Sequence, residues 1–181
     1  MLNNSTDRYG VVSRSIHWAT AAIIIALIVV GWYMTGLAEE DPARRNIYNL
    51  HKSVGVLSIF LLVLRFAWLK VSPAPELPAV FPASERNLTQ GMRILLYVLM
   101  LLVPVSGYVM STAAGYPVPF FKLFTMPALI GESEMLAEFA HEAHAILGYS
   151  ILAVVALHIF GALKHRLADR GGPSDILGRM L

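Results

Sequence analysis

Residues 142–163 read EAHAILGYSILAVVALHIFGAL, an almost unbroken apolar run that contains two histidines, His144 and His158. About 20 mostly apolar residues suffice to cross a bilayer as a helix. An ionisable side chain inside such a span is costly and marks a functional site by default. The 14 positions from His144 to His158 correspond to ~21 Å of helical rise and return to within ~40° of the same face. One helix therefore offers two imidazoles on one side, one near each end of the span. His141 is 17 positions from His158, which rotates it ~100° off that face.

Three further stretches have the same character: residues 16–37, 49–69 (with Arg65 near its end) and 93–112. The 181-residue chain is 56% hydrophobic and only 14% charged, against about 25% charged in an ordinary soluble domain. Its mean hydropathy is +0.61. This composition cannot cover a water-facing surface, which excludes a soluble enzyme, a nucleic-acid binder and a disordered tail. The predicted fold class is all-α: an integral membrane four-helix bundle forming a single transmembrane domain over residues 1–181, with lipid as its surroundings. The first run is too long for a signal-peptide core of about 7–15 residues and is read as a retained helix.

The connections are well punctuated. Glu39-Glu40-Asp41-Pro42 closes the first span, and the proline-rich segment 73–82 (PAPELPAVFP) reads as an extended linker. Gly115-Tyr116-Pro117 stops the third span. The apolar loop after it either lies in the membrane interface or folds over the bundle mouth. Pro104 is expected to kink the third helix unless a neighbour satisfies the freed carbonyl. With both termini on one side, Arg44, Arg45, Lys52 and Lys122 fall on the other, and the rest of the 14 lysines and arginines share the side of the termini. That asymmetry puts both termini in the cytoplasm.

Cysteine is absent, which excludes disulfides, thiolate-held iron–sulfur clusters, cysteine zinc sites and thioether-linked haem. The histidines carry what remains. His17 and His158 lie at the inner depth, and His51 and His144 at the outer depth. Two facing imidazoles from different helices suit axial ligation of a b-type haem, and two such haems make an electron path across the membrane. The competing reading is a metal-ion site for transport. Two histidines per depth are too few for four-coordinate zinc, and Glu142 is the only nearby carboxylate, on the outer side. Gly55, Gly148 and Gly161 each follow a histidine by three or four positions. They either admit a porphyrin close to the backbone or serve ordinary helix contacts.

Taken together these residues resemble the bacterial cytochrome b561 family of four-helix dihaem membrane cytochromes, over nearly the whole chain. The resemblance rests on Ser15-Ile16-His17-Trp18, on residues 49–55 (NLHKSVG) with Leu64-Arg65, and on residues 102–107 (LVPVSG). It continues through His144, Leu157-His158, residues 162–165 (ALKH) and the ending 176–180 (ILGRM). It implies two haem b groups ligated by the pairs His17/His158 and His51/His144. It also implies one of two roles in the bacterial inner membrane. One is a superoxide oxidase, a superoxide:ubiquinone oxidoreductase that takes electrons from superoxide outside and passes them to ubiquinone inside. The other is an electron-transfer subunit serving a redox partner protein such as a dehydrogenase or hydrogenase.

Within that resemblance, Lys52 beside His51 is a candidate for steering superoxide, or else an interfacial anchor or propionate partner. His165, seven positions after His158 and within ~20° of its face, is the quinone-site candidate, as hydrogen-bond donor and proton relay. Its alternative is a snorkelling interfacial residue. Trp18, Trp32, Tyr33, Trp68, Tyr97 and Tyr108 read as an aromatic belt, and Met34, Met100 and Met110 as packing residues.

Overall fold

The computed structural model describes residues 1–181. Four helices dominate it: α1 (Val11–Thr35), α2 (Arg44–Val71), α3 (Ala83–Ala113) and α4 (Glu134–Ala168). All are long and apolar enough to cross a membrane. Each starts before the span expected from hydropathy, most clearly α3, ten residues before 93, and α4, eight before 142, while α1 ends two residues short of 37. The membrane requires only the apolar middle of a helix. Its ends are set by local chemistry. Ser133 caps α4 by accepting the N–H of Leu136. At the end of α3, Gly115 takes the left-handed conformation at φ +76°, its N–H bonding the Thr112 carbonyl and that of Tyr116 the Ser111 carbonyl. Helix α3 continues through Pro104.

Helix α3 packs along α4, α1 along α2, and α2 along α3, whereas α4 stands off from both α1 and α2. A buried cluster of Leu62, Leu99, Met100, Ile151 and Val154 ties α2, α3 and α4 together at mid-height. Only 22 of 181 residues are buried, because large side chains such as Val63, Ile146 and Phe160 face outward, where lipid rather than water is their solvent.

The two ends of the bundle are closed differently. At one end, Arg179 donates to the carbonyls of Thr6, Asp7 and Glu76, and Trp18 donates to the Met180 carbonyl. Both termini and the 73–82 linker thus share one face. At the opposite face the loop after α3 folds back onto α2 at the bundle mouth. It forms a hairpin of β1 (Pro119–Phe120) and β2 (Phe124–Thr125). Buried Ser53 of α2 holds it: its hydroxyl contacts the Pro119 carbonyl at 2.9 Å and accepts the Phe121 N–H at 2.8 Å.

Candidate haem site

Four of the six histidines meet in pairs. The ring centres of His17 (α1) and His158 (α4) are 6.3 Å apart near the face of the termini. Those of His51 (α2) and His144 (α4) are 6.4 Å apart near the hairpin face. Two imidazoles that shared one first-row metal at ~2.0–2.1 Å from each nitrogen would have ring centres roughly 6 Å apart. One pair links α4 to α1 and the other links it to α2, two helices its backbone does not pack along. The apolar cluster lies between the two pairs along α2 and α4.

The surroundings of each ring show what it can do. His144 Nδ1 lies 2.9 Å from the Val103 carbonyl and 3.1 Å from Ser106 Oγ, while the Ser106 hydroxyl itself donates to that carbonyl. Nδ1 therefore carries the proton, and Nε2 keeps the lone pair a metal requires. A side chain on Gly107 would place its Cβ 3.0 Å from His144 Cε1, so glycine is what lets the ring sit against α3. His51 Nδ1 is the one buried side-chain polar atom without a hydrogen-bond partner, and Gly31 of α1 faces its Cε1. His17 Nδ1 lies 3.2 Å from Arg65 Nη1, and Arg65 Nε donates to the Tyr97 hydroxyl.

The other candidates sit elsewhere. His141 is exposed and its Nδ1 meets only Met110 Sδ, at 3.3 Å. Lys52 Nζ donates to the Pro117 carbonyl at 3.2 Å and lies over the Tyr116 ring, turned toward the hairpin. His165 stacks on buried Phe81 of the linker, with ring centres 4.8 Å apart. The same linker borders a polar cavity of about 340 Å³ whose lining includes Glu76, Arg86, Gln90 and Arg93. No three His, Asp or Glu side chains gather as a metal-ion cage. A built Cβ at Gly55, Gly148 or Gly161 meets nothing within 4 Å, so none of these glycines serves a close helix contact.

Sequence reasoning missed three parts of this site: Gly107, the Val103–Ser106 acceptors and the contact of Arg65 with His17. Arg65 did leave a signal, as an ionisable residue within an apolar span. Ser106 and Gly107 stood out only as part of the 102–107 motif and without a role, because that role depends on which helix faces α4.

The donor set fits haem: paired imidazoles at two depths and a tautomer at His144 that leaves Nε2 free to ligate. The family model for prokaryotic cytochrome b561 matches residues 8–180. Cytochrome b561 homolog 2 of Escherichia coli (strain K12) is 36% identical over 179 residues, covering 98% of this chain and 93% of that protein. Cytochrome b561 homolog 1 of the same organism is 26% identical over 170 residues, covering 91% and 93% respectively. The chain belongs to the prokaryotic cytochrome b561 family, whose members are membrane proteins that transfer electrons through haem b.

Proposed function

We propose that the chain binds two haem b groups, one between His17 and His158 and one between His51 and His144, and carries electrons across the bacterial inner membrane. The observation that carries this reading is the pair of histidine separations, 6.3 and 6.4 Å, at two depths of one bundle. Bound haem iron supplies one-electron chemistry by alternating between ferric and ferrous states. The residues supply the rest. Val103 and Ser106 hold the tautomer of His144, Gly107 admits its ring, and the apolar cluster keeps water from the space between the pairs.

In the same proposal, superoxide gives up one electron at the outer, hairpin face and leaves as dioxygen, with no proton taken up. Ubiquinone at the cytoplasmic face takes two electrons and two protons to become ubiquinol. Two superoxide ions are therefore consumed per quinone. Lys52 is the steering candidate for the anion, although its ammonium is partly engaged by Pro117. His165 is the candidate donor to a quinone oxygen, on the face where the basic residues cluster.

The test is a haem count and reduced-minus-oxidised spectrum of the purified chain, followed by a superoxide pulse and then ubiquinone. Two haems per chain, reduced by the pulse and reoxidised by quinone, are expected. Absence of haem bands overturns the whole reading. Two haems that respond only when a dehydrogenase or hydrogenase partner is added make the chain an electron-transfer subunit instead.

A further inference from the structure

We propose that Arg65 gives electron flow its direction, by raising the reduction potential of the haem between His17 and His158 above that of the haem between His51 and His144. The inference rests on the dihaem reading and goes beyond it, by assigning a potential-setting role to a residue that ligates nothing.

The two histidine pairs differ in the charge placed against their rings. At the face of the termini, Arg65 Nη1 lies 3.2 Å from His17 Nδ1. Arginine can only donate hydrogen bonds, so Nδ1 is the acceptor in this contact. A His17 that offers Nε2 to a metal carries its proton on Nδ1, so this hydrogen bond would open and the guanidinium, anchored on Tyr97, would stand near the ring as a positive charge. Tyr97 keeps it in place. Its hydroxyl accepts from Arg65 Nε at 3.2 Å, and its ring centre lies 5.6 Å from the guanidinium carbon. No carboxylate of the chain lies within 4.0 Å of it, since the ion pairs are Arg44–Glu39, Lys164–Glu85 and Arg166–Asp175.

At the hairpin face the sign is reversed. The His144 ring donates its Nδ1 proton toward the Val103 carbonyl and the Ser106 hydroxyl oxygen, the negative ends of two dipoles. Such partners raise ligand basicity and favour the ferric state. His51 Nδ1 has no partner, and the adjacent Lys52 ammonium keeps its charge but is held at the hairpin by the Pro117 carbonyl, with no hydrogen bond to either ring. Reduction adds one electron to the iron, so a nearby fixed cation favours it and a basic ligand opposes it. Both differences act in one direction. An electron arriving at the hairpin face moves downhill toward the face of the termini.

The experiment is a spectroelectrochemical titration of the purified haem-loaded protein. His158→Ala and His144→Ala variants assign each one-electron transition to a face. In the unsubstituted protein the haem at the face of the termini is expected to be the higher in potential. Arg65→Gln is expected to shift its reduction equilibrium at least tenfold toward ferric, ~59 mV for a one-electron couple, leaving the other transition in place. Arg65→Lys, which keeps the charge, restores most of the shift. Arg86→Gln, which removes a cation of the same face that does not touch a histidine, leaves both transitions unchanged. The proposal is overturned if the haem at the face of the termini is the lower one before any substitution. It is equally overturned if fully loaded Arg65→Gln titrates like its parent, or if Arg86→Gln produces the same shift. A chain that holds fewer than two haems fails the dihaem reading instead, and the haem count identifies that case.

Discussion

Gly107 and His144 are in contact across α3 and α4 so closely that a methyl group on Gly107 would lie 3.0 Å from the imidazole Cε1. Few real Cβ contacts are that short, so either the ring or the helix must give way. Gly107→Ala is expected to weaken haem retention at the hairpin face, and Gly107→Val to abolish it. A pyridine haemochrome count falling from two haems per chain toward one, with helix content preserved by circular dichroism, checks this. Gly148→Leu provides the complementary case, because its added atoms meet no protein within 4 Å of the Cβ. Loss of haem in that variant, with the bundle intact, places the porphyrin beside Gly148.

The histidine pairs separate the ligand assignments. His17→Ala or His158→Ala should lose the haem at the face of the termini, and His51→Ala or His144→Ala the one at the hairpin face. His141→Ala should keep both, since its ring meets only Met110 Sδ. A His141 variant that lost a haem while the His144 variant kept two would reverse that choice.

His165→Ala should retain both haems and be reduced by superoxide at the parental rate, but pass electrons to ubiquinone more slowly by tenfold or more, in the range of a lost acid–base or positioning group. Stopped-flow measurement of both half-reactions in one preparation decides it. Parental quinone turnover would leave His165 only its stacking on Phe81.

The hairpin at the end opposite the termini is seated on the Ser53 hydroxyl. Ser53 is 1% exposed and accepts the Phe121 N–H, at a residue whose φ of +53° is unfavourable for a side chain. Ser53→Ala leaves that N–H without its partner, at a cost of about 1–3 kcal/mol. Faster amide exchange confined to residues 117–126, together with a lowered Tm, is the expected result.

Asp175 fastens the C-terminal tail by bonding Arg166 and the N–H groups of Gly171 and Gly178. Burial acts to raise its pKa, but those donors outweigh it and hold the carboxyl below the usual carboxylate range. A carboxyl depressed in the folded state contributes stability above its unfolded value of about 3.9, and that stability is lost as pH falls through the folded value. The tail should stay closed from neutral pH down to about pH 4 and loosen below it. Asp175→Asn should loosen it at every pH. Limited proteolysis within residues 169–181 reads both effects.

The fold was legible in the chain itself for a physical reason. In a bilayer every backbone polar group must be satisfied internally. An apolar run of about 20 residues does so as a helix, whereas a barrel strand needs only about half that length. The 14-residue step from His144 to His158 likewise follows from helical geometry alone, as does the exclusion of His141 from their shared face. Matched depths paired His17 with His158 and His51 with His144, and those rings do meet, but the finer contacts between helices were not legible. That His144 presses on Gly107, that Val103 and Ser106 set its tautomer, and that Arg65 reaches His17 across α1 and α2 are facts of tertiary packing. Hydropathy also marks only the part of a helix the lipid requires, so the extra turns of α3 and α4 and the seat of the hairpin on Ser53 emerged only in three dimensions. Periodicity assigns a residue to a face of its own helix. Only the folded bundle assigns that face a neighbour.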